Sequence, residues 1–352
     1  MGIKISGTGS YIPSEVSCNS NFAEHEFLDK NGAKFEFSND IIIDKFKDIT
    51  GIAERRYAKN HLNTSDLAYF AAERAIESAK VDPETLDYII IAHNFGDVRH
   101  GTVQGDTLPS LAVRVKHSLG IKNPKCVAYD LIFGCPGWIE GVIQAQAFIK
   151  AGIAKKCLVV GAETLSRVVD KHDRDSMIYS DGAGAAIIEH TDEPGGILAH
   201  ESATFAAEEA YFLFFGKSYN ASIEEDTRYI KMHGRKIYEF AVTEVPKAMK
   251  SCLEKSGVAI EDLKKVFIHQ ANEKMDEAII KRFYRAYKTP VPEGVMPMNI
   301  HKLGNSSVAT IPTLFDMVIN QQLENQKIQK GDIIMFASVG AGMNLNAIVY
   351  QC

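Results

Sequence analysis

The second half of this 352-residue chain repeats the order of elements in the first, and that duplication restricts the possible folds more than any other feature of the sequence. In the first half, Asn63 to Lys80 reads as a capped amphipathic helix with Thr64 or Ser65 as N-cap. A turn-rich stretch from Val81 to Asp87 follows, and then the apolar run Tyr88–Ala92, a buried strand ending at His93. In the second half, Glu239 to Lys255 is helical in pattern, Val258 to Leu263 is the connector, and Lys265–Ile268 is a strand ending at His269. Val81 lies 12 residues before His93, and Val258 lies 11 before His269. Beyond each histidine the match continues. Gly134-Cys135 precedes a helix with Trp138, Val142, Ala145 and Ile149 on one face, leading to the strand Cys157–Val160. Gly304-Asn305 precedes a long helical segment leading to Ile333–Phe336 and the glycine loop Gly340–Gly342.

Strands alternating with helices imply two α/β halves, residues 1–190 and 191–352, each with parallel sheet covered on both faces. Ligands of such sheets sit beyond the carboxyl ends of the strands. Cys135, His269, Asn305 and the Gly340–Gly342 loop all occupy turns of that kind, so they converge if the halves pack about a pseudo-two-fold axis. A polar stretch up to about Asp48 reads as too charged for core.

Composition narrows the function classes. A net charge of −6 gives no protein-wide field for nucleic acid. No apolar run approaches the roughly 18–20 residues of a membrane span, and the first residues show no extended apolar signal. The six cysteines, at 18, 126, 135, 157, 252 and 352, form no CxxC pair and no metal-ligand cadence. A reduced cytoplasmic protein without a bound metal is expected.

Cys135 lies in Phe133-Gly-Cys-Pro-Gly-Trp138. With Pro136 in the first helical turn, Cys135 falls at the N-cap, where the helix's positive end favours thiolate. A buried structural cysteine is the alternative. His269, directly after a strand, is either structural or a neutral imidazole that stabilises an oxyanion or moves a proton. Asn305 is either a turn residue or an amide donor to the same oxygen. Singly, each has a structural explanation; together they suggest a site.

These residues sit in motifs that resemble the β-ketoacyl-acyl-carrier-protein synthase III-type condensing enzymes of the thiolase superfamily. The resemblance spans most of the chain: the opening Gly7–Pro13, Thr50–Arg56, Leu108–Ser110, the Cys135 turn, Tyr179–Ala185, His269–Asn272, Gly304–Ser306 and the closing glycine loop. It implies a five-layered αβαβα thiolase fold, a homodimer, and a Cys135–His269–Asn305 triad. It also implies an oxyanion site formed by backbone N–H groups of Cys135 and the Gly340–Gly342 loop. Elongation-type ketosynthases have a second histidine where Asn305 stands, and degradative thiolases a second cysteine near the glycine loop; plant-type polyketide synthases share the triad. The implied reaction is a decarboxylative Claisen condensation of a Cys135-bound acyl group with a malonyl or β-ketoacyl thioester, in fatty-acid or specialised lipid synthesis, without a cofactor. The alternatives are resorcinol-forming condensation, acyl transfer without decarboxylation, or a non-catalytic partner subunit.

The chain departs from the family it resembles where that family binds coenzyme A. Relatives that prime from acetyl-coenzyme A stack the adenine between a tryptophan and an arginine just before Thr50-Gly-Ile; here Ile49 replaces the arginine, and the single tryptophan is Trp138, beside the nucleophile. Arg167 matches the second arginine near the nucleotide. With the clamp missing, acyl groups delivered by acyl carrier protein are expected over acyl-CoA, with malonyl-carrier protein as extender. Arg235, Lys236, Lys274, Lys281, Arg282 and Arg285 are the basic residues available to meet an acidic carrier. Asn272 and Trp138 complete the expected substrate contacts. Leu108 stands where the family's partner subunit contributes to the acyl gate, and a leucine there implies room for more than acetyl. The segments around 20–48, 94–107 and 205–228 read as longer than in the basic family member.

Overall fold

The computed structural model describes residues 2–223 and 226–352. Nine strands form one mixed sheet: β1 (Gly2–Tyr11), β2 (Tyr88–Ala92), β3 (Val127–Leu131), β4 (Lys156–Thr164), β5 (Asp181–Thr191), β6 (Gly196–Thr204), β7 (Leu263–Ile268), β8 (Ile333–Gly340) and β9 (Asn344–Gln351). The helices that matter here are α1 (Asn39–Thr50), α2 (Thr64–Ala79), α3 (Leu111–Ser118), α4 (Gly137–Lys150), α5 (Gly234–Ser256), α6 (Glu273–Ala286) and α7 (Thr310–Ile319).

Strand order across the sheet is β7-β8-β9-β6-β1-β5-β4-β2-β3, with its seam at the parallel Ile3–Gly196 bridge between β1 and β6. Outward from the seam, both sides read alike. β1 pairs antiparallel with β5, β5 antiparallel with β4, and β4 parallel with β2. On the other side, β6 pairs antiparallel with β9, β9 antiparallel with β8, and β8 parallel with β7. β3 then adds parallel to β2, and at the matching place beside β7 the Val266 N–H donates to Val295 O at 2.7 Å. The sheet is therefore not purely parallel, as the helix–strand alternation suggested. No α-helix lies between β4 and β5 or between β8 and β9, so neither pair has the crossover that parallel pairing needs.

Alternation along the strands builds five layers. Leu158 and Val160 of β4 face α2 and α3, while Val159 faces inward. On β8, Met335, Ala337 and Val339 face α5 and α6, while Ile334 and Phe336 face inward. The inward set meets α4 and α7 through Trp138, Val142, Leu314 and Phe315, so these two helices form the middle layer. Burial on both faces is why these strands read as continuous apolar runs.

Three details differ from the sequence reading. Asn63, not Thr64 or Ser65, caps α2, its N–H donating to Asp66 Oδ2 at 2.7 Å. The segment from Gly304 gives only the ten-residue α7, because Gln321 and Asn325 adopt positive φ in a polar turn. The charged stretch before Asp48 holds a satellite core: Ile42, Ile43 and Phe46 on one face of α1 pack with Phe22, Phe27 and Ile52. Among the described residues, no helix is long and apolar enough to cross a membrane.

Candidate active site

The turn between β3 and α4 carries Cys135, and the second half holds it from outside. Gly134 takes φ +66, and a β-carbon there would lie 2.7 Å from Ala341 N. Asn346 Nδ2 donates to Pro136 O at 3.0 Å, and Asn344 Nδ2 donates to Ala341 O at 2.9 Å. Pro136 itself is the N-cap of α4, its carbonyl taking the Glu140 N–H at 3.0 Å. Cys135 therefore precedes the cap by one residue, a correction to its expected place.

The charge of the sulfur also differs from expectation. Burial pushes the Cys135 thiol up to about 11, against a hydrogen bond from Ser307 Oγ at 3.2 Å that favours the thiolate. At neutral pH the resting group is therefore a thiol.

His269, 4% exposed, follows β7 with its N–H on Ala337 O. Its Nδ1 lies 2.7 Å from Thr310 Oγ1, and Thr310 Oγ1 donates to Ser307 O at 2.8 Å. The single threonine hydrogen is thus committed, and Nδ1 is the nitrogen that carries the imidazole proton. Burial pulls His269 down to about 4, so the ring is neutral and Nε2 keeps its lone pair. As it stands, this imidazole accepts a proton at Nε2; it donates there only once charged. Asn305 Oδ1 accepts the Ser307 N–H at 2.7 Å, which leaves its Nδ2 group as the donor.

Cys135, His269, Asn305 and Gly340 all open into one cavity of about 1180 Å³. Its walls include Phe35 and Phe46 from the 20–48 segment, Phe95 from the 94–107 segment, and Phe215 and Ile230 from the hairpin that pairs Leu213–Lys217 with Arg228–Met232. Phe95 and Phe215 stack at 4.9 Å. Arg235 and Lys236 line the same cavity, whereas Lys274, Lys281, Arg282 and Arg285 of the expected basic set do not. Lys281 pairs with Glu277, and Arg282 donates to Val242 O, which fixes both along α6. The sequence reading missed Lys30, Lys45 and Arg174, which join the cavity lining. For Lys30 and Lys45 the available signal is the apolar–basic alternation of the stretch before Asp48; Arg174, in the turn Arg174–Ile178, carries none.

Asn272 lines the cavity and caps α6, accepting the Met275 N–H at 3.0 Å. Trp138 does not reach the cavity. At 1% exposure it packs in the middle layer against Phe336 and donates to Val159 O, because it lies on the inward face of α4. Arg167 is likewise engaged: its two terminal nitrogens donate to Asn63 Oδ1 and to the carbonyls of Lys59, Leu62 and Val98, which uses all four of their hydrogens. Gly342 takes φ +78 beside Asn344 and turns away, so Gly340 and Ala341 form the cavity wall in its place. Leu108, 88% exposed, lies outside the cavity of its own chain.

Residues 129–204 match the family model of 3-oxoacyl-[acyl-carrier-protein] synthase III, and residues 253–352 match the model of that family's C-terminal part. A beta-ketoacyl-[acyl-carrier-protein] synthase III from Staphylococcus epidermidis is 32% identical over 352 residues, covering 100% of this chain and 99% of the relative. Its counterpart from Caldanaerobacter subterraneus is 34% identical over 96% of this chain and 94% of the relative. The crystal structure of 3-oxoacyl-[acyl-carrier-protein] synthase III from Aquifex aeolicus superposes with a TM-score of 0.82 at 31% identity, covering 100% of both chains.

Proposed function

Because the chain belongs to the 3-oxoacyl-[acyl-carrier-protein] synthase III family of thiolase-fold condensing acyltransferases, we propose that it joins a Cys135-bound acyl group to a malonyl thioester with loss of CO₂. The observation that carries this reading is the meeting of Cys135, His269 and Asn305, from both halves of the chain, in one largely apolar cavity.

His269 Nε2 takes the thiol proton, and the thiolate attacks the primer's carbonyl carbon. The bond from that carbon to the primer's sulfur breaks, and the leaving sulfur takes the proton back from His269. Backbone N–H groups at Cys135 and Gly340 face the transient oxyanion. In the second stage the malonyl carbon–carboxylate bond breaks, and its electron pair moves into an enolate whose oxygen accepts from Asn305 Nδ2. The enolate carbon attacks the acyl-Cys135 carbonyl, and the carbon–sulfur bond breaks to release the β-ketoacyl thioester. Cys135 then takes up one solvent proton. Losing the Asn305 donor costs on the order of 10²–10³ in rate, about 3–4 kcal/mol.

A cavity of about 1180 Å³ exceeds the roughly 300–1,000 Å³ of ordinary small-molecule sites, which favours acyl chains well beyond acetyl. With Arg167 committed to the protein and no stacking tryptophan in the cavity, acyl carrier protein is the donor, met by Arg235, Lys236, Lys45 and Arg174. A second copy pairs along β3, the terminal strand of the sheet, beside exposed Val127, Ile132 and Leu108. No metal or redox cofactor enters the scheme.

Intact-protein mass spectrometry after incubation with acyl-carrier proteins tests the acylation, and Cys135→Ala takes up no acyl group. Malonyl-carrier protein then yields β-ketoacyl product and CO₂ in equal amounts. Product without CO₂ replaces the condensation with simple acyl transfer; no acyl-enzyme with any donor rejects catalysis at Cys135.

A further inference from the structure

Ser307 touches Asn305 and Cys135 directly and reaches His269 through Thr310, each by a different atom. Its N–H donates to Asn305 Oδ1 at 2.7 Å. Its carbonyl accepts the Thr310 hydroxyl, at 2.8 Å, that in turn receives His269 Nδ1–H. Its hydroxyl lies 3.2 Å from Cys135 Sγ. The residue takes φ +51, a conformation that side chains other than glycine, asparagine and aspartate seldom adopt, and it is 4% exposed.

A second chain of contacts fixes the direction of that hydroxyl. Asn94 Nδ2 donates to Ser307 Oγ at 3.1 Å, and the same nitrogen donates to Glu163 Oε1. An amide N–H only donates, so Ser307 Oγ is the acceptor from Asn94 and its one hydrogen goes to sulfur. Glu163, buried at the end of β4, holds Asn94 in that role.

We propose that Ser307 is the hub of the site: its hydroxyl donates to Cys135 Sγ whenever that sulfur carries charge, and Asn94 and Glu163 are positioning residues that aim it. This rests on Cys135 being the nucleophile. Sulfur carries charge twice, as attacking thiolate and as the leaving group when the acyl carbon–Sγ bond breaks and its electron pair returns to Sγ. The serine proton stays on oxygen in both, so Ser307 stabilises charge and His269 moves protons.

Removing a hydrogen bond to a charged group costs about ten- to a hundredfold in the thiolate population. The titratable groups around the sulfur are Glu163 on β4, His269 after β7 and Tyr179 before β5, with Asp181 of β5 facing Glu163. His269 is neutral above about pH 4 and burial keeps Tyr179 neutral, whereas Glu163, raised to about 8 by burial, changes charge between about pH 6 and 9.

The test is alkylation of Cys135 by iodoacetamide, followed peptide by peptide across pH because the chain holds five other free thiols. It needs no substrate, so it stands apart from whether the condensation occurs. Ser307→Ala slows alkylation at pH 8 at least about tenfold and moves its midpoint upward. Ser307→Gly relieves the positive φ, and it stays as slow as the alanine variant. Below about pH 7, where Glu163 is uncharged, Glu163→Ala slows alkylation in the same direction, and Glu163→Gln, which keeps an acceptor for Asn94, recovers it. Wild-type rate and midpoint in either Ser307 variant overturn the proposal. A wild-type rate in Glu163→Ala overturns the part given to Asn94 and Glu163. Failure of acyl transfer with normal alkylation in wild type counts against the nucleophile reading instead.

Discussion

Gly340, at the end of β8, faces the Cys135 backbone so closely that a β-carbon on it would collide with Cys135 N and lie 2.9 Å from Cys135 Cβ. The turn before α4 and the end of β8 thus meet backbone to backbone at Cys135. Gly340 has φ −163, an extended value open to any residue, so the constraint is space and not conformation. Gly340→Ala is expected to cost about 1–3 kcal/mol by overpacking and to lower acylation far more than stability alone explains. Urea midpoints beside acyl-enzyme yields check this; unchanged yield at wild-type stability refutes the contact.

His269 supplies a stability test with a definite sign. Its folded value of about 4 lies below the ordinary 6.5, so the unfolded chain binds the proton first. The stability it supports is complete above about pH 6.5 and is lost as pH falls toward 4, on the order of 3 kcal/mol in all. His269→Gln removes this dependence. Denaturation of both proteins at pH 7 and 4.5 isolates it, since the other acids contribute equally to each; parallel losses count against a neutral buried imidazole.

Thr310 fixes which nitrogen of that ring is bare. Thr310→Val removes the acceptor for Nδ1–H, frees the ring to change tautomer, and lowers the acylation rate about ten- to a hundredfold. Thr310→Ser restores it to within about threefold, because the hydroxyl still bridges Ser307 O and His269 Nδ1. Single-turnover acylation rates distinguish these; equal losses in both variants point to packing alone.

What the sequence disclosed follows from range. β2, β4 and β8 were legible because burial on both faces leaves an unbroken apolar run, a property of neighbouring residues. The same holds for Cys135, His269 and Asn305, each marked by its own turn. Trp138 was misplaced because adjacency along the chain does not give direction: three residues past Cys135, α4 has turned it into the middle layer. Arg167 was misread because its acceptors, from Lys59 to Val98, lie far away in sequence. The thiol's charge is not readable because desolvation depends on everything around the sulfur, and α1 is hidden because its three buried apolar residues are diluted by six charged or amide ones.

Glu163 has the opposite pH signature to His269. Burial raises its carboxyl from 4.5 to about 8, so the folded state keeps a proton that the unfolded chain has lost. Its contribution is complete below about pH 4.5 and declines as pH rises to about 8. Glu163→Gln carries no charge at any pH, so relative to wild type it gains stability between pH 5 and 8.5, on the order of 2–4 kcal/mol. Paired urea titrations at those two pH values measure the gain, and a constant difference between the proteins means the carboxylate is accommodated without penalty.

The cavity's reach sets the chain length it accepts. Ile230 lies on the wall formed by the hairpin, next in space to the residues that pack with Phe95 and Leu213, and it is already 8% exposed. Replacing it with tryptophan fills space that only a long acyl chain would enter. Each methylene excluded from an apolar site is worth about 1–3 kcal/mol. Ile230→Trp is therefore expected to cut acylation by dodecanoyl and longer primers at least about tenfold while acetyl and butyryl primers stay within about threefold. Mass spectrometry of Cys135 adducts from an equimolar panel of acyl-carrier proteins reads both arms at once. If all lengths fall together the substitution has damaged the site, and if none falls the acyl chain runs elsewhere than along Phe95, Phe215 and Ile230.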